Sequence, residues 1–151
     1  MKLTIMRHGQ AEPIVSTDAS RPLTPQGEAQ AYEAACSAEG RHIQPEILLV
    51  SPLLRAQQTA LQVQRVFSTV NIETYPGLSP DEPPLVVTEY LDQRSENDIM
   101  LISHQPLVSR LVEWLTGEQL FLDTANIACV DVPNIDDGGL SRWQGELVWV
   151  I

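Results

Sequence analysis

Lysine is almost absent from this chain. Lys2 is the one lysine, set against eight arginines and twenty acidic residues, and the formal net charge is −11. A nucleic-acid interface needs clustered lysine and arginine, so this balance excludes a broad one. It leaves room for a small anionic substrate, because local charge governs local binding. Cysteine is nearly as scarce. Cys36 and Cys129 show no metal-ligand spacing. Both have apolar sequence neighbours and are expected to be reduced core residues rather than a disulfide. Long hydrophobic runs are missing too. None approaches the ~20 residues that cross a bilayer. The N-terminus lacks the basic region and apolar core of a secretory signal. A cytoplasmic protein with no membrane partner is expected. There is no internal repeat and no low-complexity tract.

What is there suits one folded domain over residues 1–151, with 43% hydrophobic and 19% charged residues. Residues 2–6 read as an apolar strand that stops at Arg7-His8-Gly9. Residues 9–23 carry no helical period and hold Pro13, Ser16, Asp18, Ser20 and Pro22, so they read as a loop. Thr24-Pro25 has the chemistry of a helix start. An alanine-rich helix is predicted over 26–39, with Gly40 as its stop. A second strand is predicted at 47–50 and a second helix over about 54–67. Strand character returns at 71–75, a proline-rich loop at 76–84, and a short helix at 85–91. A buried strand at 98–103 ends in Ser103-His104 and leads into a helix over 105–115, closed by Gly117. Two late strands at 127–132 and 146–151 read as an antiparallel pair around a turn at Asp136-Asp137-Gly138-Gly139. Alternating strands and helices predict an α/β fold, with three α/β/α layers, a mostly parallel sheet and an antiparallel pair at the end.

In such a fold the loops after parallel strands gather at one edge, where ligands bind. Arg7-His8, Arg55 and His104 each follow a different strand, so the topology sends them to one place. Arginine offers a planar fork of donors suited to phosphate oxygens. A histidine ring nitrogen can serve as nucleophile or acid. Gly9 allows a sharp turn beside a ligand. Ser51 and Thr59 read as helix-start or core hydrogen bonders, and His42 as an inert loop residue. No helical His-x-x-x-His or cysteine pair suggests a metal, and neither metal nor cofactor is expected.

The motifs then fall in a familiar order. Arg7-His8-Gly9, Arg21-Pro22-Leu23-Thr24 with Gly27, Gln30 and Ala31, Ser51-Pro52 with Arg55-Ala56 and Thr59-Ala60, and Ser103-His104 resemble those of the histidine phosphatase superfamily, the phosphoglycerate mutase-like fold. The small size and the run Ser51-Pro52-Leu53-Leu54-Arg55-Ala56 resemble its SixA-type phosphohistidine phosphatases. The resemblance implies a metal-independent phosphatase in which His8 takes up the phosphoryl group, with Arg7, Arg55 and His104 as the other catalytic residues. It implies Gly9, Arg21 and Asp18 as substrate-binding residues. Larger members draw a leaving-group acid from a glutamate after the third strand. Here that loop reads Leu78-Ser79-Pro80-Asp81-Glu82, so the acid is missing or moved to Asp81, Glu82 or Asp18. Without it, alkyl phosphates are expected to turn over poorly.

The implied partner is a phosphorylated histidine phosphotransfer domain or a similar phosphohistidine protein, met by a monomer. Two other readings stay open: a small-molecule phosphomonoesterase of the same superfamily, and a module that binds phosphohistidine without turnover.

Overall fold

Apolar residues at every position from Leu3 to Met6 except Thr4 bury both faces of the first strand, and the rest of the sheet is assembled around it. The computed structural model describes residues 1–14, 16–133 and 144–151. In chain order the elements are β1 (Lys2–Arg7), α1 (Pro25–Glu39), β2 (Ile47–Val50), α2 (Leu54–Val66), β3 (Asn71–Thr74), α3 (Pro84–Leu91), β4 (Asp98–Ser103), α4 (Leu107–Thr116), β5 (Ile127–Asp131) and β6 (Glu146–Val150). Single 3-10 turns form at Asp18–Ser20 and Pro76–Leu78. The six strands make one sheet in the order β3-β2-β4-β1-β5-β6. The first four strands are parallel; β5 and β6 are antiparallel to their neighbours, as expected.

Strand alternation divides the interior in two. Leu3, Ile5, Leu49, Ile99 and Leu101 point to the face covered by α3 and α4. Met6, Leu48, Val50, Met100 and Ile102 point to the face covered by α1 and α2. Fully burying one such side chain stabilises the fold by roughly 1.5–3 kcal/mol. On the second face the helices are thin where they meet. Gly27, Ala31, Ala35 and Ala38 of α1 are buried, as are Ala56, Thr59, Ala60 and Val63 of α2. Small side chains there let the two helices lie close to each other and to the sheet.

Helix starts follow local chemistry. The Thr24 side chain accepts from the Gly27 N–H at 2.8 Å, with Pro25 in the first turn. Gly117 closes α4 at φ 81°, in the left-handed region. Two expectations need correction, the burial of Cys36 and the start of the last helix. Cys129 is buried, but Cys36 is exposed, because it lies one residue beyond Ala35 and so a third of a turn off the packed stripe. Gly40 stops α1 as expected, at its C-cap, with a right-handed φ of −61°, and His42 supplies the positive φ of 62°. Helix α4 begins at Leu107 rather than at 105, since Pro106 takes the N-cap. The turn read at Asp136-Asp137-Gly138-Gly139 lies outside the described residues.

The strand register sets the shape of the sheet's edge. Ile102 of β4 pairs with Met6 of β1 on one side and Val50 of β2 on the other. The carboxyl ends of the three adjacent strands are therefore level, and the residues just beyond them meet.

Candidate active site

His8 is the first residue beyond β1. Its N–H donates to Ser103 O at 3.0 Å and its carbonyl accepts from Ala125 N at 2.9 Å, so the backbone is held from both sides. The ring is 7% exposed. Its Nδ1 lies 2.6 Å from the Gly9 carbonyl oxygen. A carbonyl only accepts, so Nδ1 carries the hydrogen and Nε2 keeps its lone pair. Burial, and then the charges of Arg55, Arg7 and Arg21, push the ring's pKa down to about 4, against the opposing pull of the Gly9 bond. His8 is therefore neutral at pH 7.

Gly9 is forced by packing. A Cβ there would stand 2.4 Å from the Gly27 carbonyl oxygen, where α1 begins. Its N–H donates to Thr59 Oγ1 at 3.1 Å, and that hydroxyl donates to Arg55 O at 2.7 Å. The turn after β1 is thus tied to α2.

Arg55, in the first turn of α2, is 4% exposed. Its Nε donates toward His8 Nε2 at 3.3 Å. Its Nη1 donates to the Asp18 carbonyl at 2.8 Å and its Nη2 to Asp18 Oδ2 at 3.1 Å. Arg21 reaches the other carboxylate oxygen of Asp18 at 3.2 Å and the Glu12 carbonyl at 2.7 Å. Burial raises the Asp18 pKa, but the hydrogen bonds from Arg21 and Arg55 outweigh it and the net shift is downward. Asp18 is therefore ionised and paired with two guanidinium groups. Arg7 donates from Nη1 to Leu122 O at 3.2 Å and lies 3.7 Å from Asp123 Oδ1, with its guanidinium 5.8 Å from the Phe121 ring centre.

His104, the first residue beyond β4, is 1% exposed, and its ring centre lies 5.1 Å from that of His8. Its Nε2 is 2.7 Å from Ser51 Oγ, and its Nδ1 has no hydrogen-bond partner among the described residues. Burial, then the charges of His8, Arg55 and Arg7, push its pKa down to about 3, with Asp18 opposing.

The fold therefore brings together His8, Arg55, His104 and Asp18. Arg21 joins through Asp18, and Arg7 is the last residue of β1, just before His8. Asp81 and Glu82 are different: none of the described hydrogen bonds or ion pairs links either to His8, Arg55 or His104. No group of three or more His, Cys, Asp or Glu is placed to hold a metal among the described residues. Sequence reasoning gave Ser51 a helix-start or core hydrogen-bonding role. It is a buried hydrogen bonder just before α2, accepting from Leu53 N at 3.3 Å, and its partner His104 is what the sequence did not reveal. The contacts of Arg7 with Leu122 and Asp123 carried no signal in the sequence, since the stretch between α4 and β5 has no pattern.

Arginines beside a neutral, buried histidine have the chemistry that suits a phosphoryl group, and the comparisons with known proteins point to a family of phosphatases. Residues 3–79 match the histidine phosphatase superfamily (branch 1), and the chain belongs to that superfamily of hydrolases. It is 34% identical over 153 residues to the phosphohistidine phosphatase SixA of Escherichia coli (strain K12), covering 95% of this chain and 92% of that protein. A solved structure of the protein histidine phosphatase SixA complexed with tungstate superposes with a TM-score of 0.88 at 32% identity, over 100% of this chain and 96% of that one. A phosphoserine phosphatase from Entamoeba histolytica in complex with 3-phosphoglyceric acid shares the fold, with a TM-score of 0.72 at 17% identity over 99% and 95% of the two chains.

Proposed function

We propose that this chain is a phosphohistidine phosphatase that acts on a signalling protein, such as a histidine phosphotransfer domain, through a phosphohistidine intermediate on His8. The observation that carries the reading is the 2.6 Å bond from His8 Nδ1–H to the Gly9 carbonyl. It leaves Nε2 as a fixed lone pair facing the Arg55 guanidinium. In the first step that lone pair attacks phosphorus, a new N–P bond forms, and the N–P bond of the substrate histidine breaks. The departing imidazole takes up a proton from solvent water. In the second step water attacks phosphorus, the His8 N–P bond breaks, and inorganic phosphate leaves.

Arg7 and Arg55 neutralise the phosphoryl oxygens, with Gly9, Arg21 and Asp18 around them. The ionised state of Asp18 makes it a poor proton donor. An imidazole leaving group tolerates this better than an alkoxide, because it can be protonated while still bonded to phosphorus. The reading takes the protein as a monomer. One sheet running from Lys2 to Val150 fits a single domain over residues 1–151. No helix among the described residues is long and apolar enough to cross a membrane. The reading places the protein in the cytoplasm and routes no step through a metal.

Incubation with a phosphotransfer domain carrying labelled phosphate tests the reading. Acid-labile, base-stable label is expected on the wild-type protein and none on His8→Ala. Replacing Arg55 with alanine is expected to slow phosphate release by roughly 100-fold or more. Label retained by the His8 variant would reject the nucleophile. Stoichiometric binding without released phosphate would mark a binding module instead.

A further inference from the structure

We propose that Ser51 is a positioning residue that holds His104 as its Nδ1–H tautomer, so that this ring presents one hydrogen-bond donor to the phosphoryl group. The proposal rests on the roles proposed for His8 and His104, and it assigns Ser51 a part in the reaction.

The hydrogen count around Ser51 decides the tautomer. The residue is fully buried. A serine hydroxyl has one hydrogen to give and two lone pairs to receive. Its Oγ accepts from Leu53 N and lies 2.7 Å from His104 Nε2. Suppose Nε2 carried the ring hydrogen. Both lone pairs of Oγ would then be accepting, and its own hydrogen would face no acceptor among the described residues. An unpartnered buried donor is costly. With the serine hydrogen directed at Nε2 instead, Ser51 Oγ and Nε2 are both partnered, and the one donor left open is on the ring, where a phosphoryl oxygen can accept it, rather than on a serine tied between two strand ends. The ring hydrogen must then sit on Nδ1.

That nitrogen is the unengaged one. It is buried, it has no partner among the described residues, and its ring stands 5.1 Å from that of His8. The two rings thus become complementary. His8 ties up its Nδ1–H on Gly9 and offers a lone pair. His104 ties up its Nε2 on Ser51 and offers a hydrogen. Because burial and the neighbouring cations hold the ring neutral, the donor is supplied without adding a third full positive charge beside Arg7 and Arg55.

Ser51 is built to hold a fixed position. Its N–H donates to Ile102 O at 3.1 Å, which ties it to the end of β4, and its carbonyl accepts from Gln57 Nε2 at 2.7 Å. The hydroxyl therefore approaches His104 from the next strand of the same level edge, with little freedom to follow the ring if it turned.

Nitrogen-15 correlation spectra of histidine-labelled protein at neutral pH test this directly, with the His104 signals assigned by comparison with His104→Asn. The wild-type ring is expected to show a proton-bearing Nδ1 and a bare Nε2. In Ser51→Ala the Nε2–H form is expected to gain population, and in Ser51→Thr the wild-type pattern is expected to persist. Ser51→Ala is expected to lower kcat by roughly 10–100-fold, as when a ring loses the partner that fixes its tautomer. KM for the phosphoprotein is expected to stay within about threefold, and Ser51→Thr to recover most of the rate.

A wild-type His104 in the Nε2–H form overturns the proposal, even if the alanine variant fails to fold. So does an alanine variant that keeps both the wild-type tautomer and the wild-type rate. Neither spectral outcome depends on whether label is trapped on His8. A failed tautomer assignment with trapping intact removes this proposal alone, whereas failed trapping removes the proposed reaction.

Discussion

At the scale of single residues, the site stores two imidazoles that resist charging. Folding holds His8 at a pKa of about 4 and His104 at about 3, against an ordinary 6.5. The unfolded chain therefore binds more protons than the folded one between those limits. Stability is fully present above pH 6.5 and falls as pH drops toward the folded values. Complete titration would cost up to roughly 3 kcal/mol for His8 and roughly 5 kcal/mol for His104. Urea unfolding at pH 7 and at about pH 5 is expected to show the decline in the wild type. A clearly smaller decline is expected in the variant with both His8 and His104 replaced by asparagine. The chemistry of these residues could be read from their types and from their positions after strands. The partner that sets the His104 tautomer could not. Ser51 and His104 are 53 residues apart, and a polar contact across such a distance leaves no periodicity to detect.

At the scale of elements, the turn after β1 and the start of α1 meet backbone to backbone. A Cβ on Gly27 would stand 2.0 Å from the Gln10 carbonyl oxygen, and one on Gly9 2.4 Å from the Gly27 carbonyl oxygen. Both obstacles are backbone, so neither can step aside. Gly27→Ala is expected to destabilise the fold by about 1–3 kcal/mol or more, lowering Tm by several degrees and reducing kcat/KM as the His8 turn shifts. Gly40→Ala is the matched control. Its added Cβ would meet nothing nearer than 3.4 Å, and its φ is already −61°, so Tm is expected to hold or rise slightly. The helix start at Thr24-Pro25 was legible because a cap is local chemistry. The reason for Gly27 was not, because it lies in a backbone from a different element. Cys36 misled for a related reason: apolar neighbours in sequence do not say which side of a helix faces inward.

At the scale of the whole molecule, a cationic pocket is set in a chain of net charge −11. Long-range repulsion is then expected to oppose the approach of an acidic phosphoprotein, while the arginines act only at short range. Raising ionic strength shortens the Debye length from roughly 30 Å at 0.01 M to about 8 Å at 0.15 M. The kcat/KM for an acidic phosphoprotein is therefore expected to rise over that range, and a fall would indicate steering by the arginines instead. The alternation of strands and helices made the layered architecture readable in advance. The strand order was not readable: β1, first in the chain, lies between β4 and β5, and pairing of that kind is settled by which apolar faces meet.

Because β1, β4 and β2 are adjacent and end level, His8, His104 and Arg55 hang from the most deeply interior part of the protein. Loosening at the margins, in half-exposed β3 or in β6, leaves that trio undisturbed. Changes at that margin are therefore expected to cost the site less than changes at the three inner strand ends.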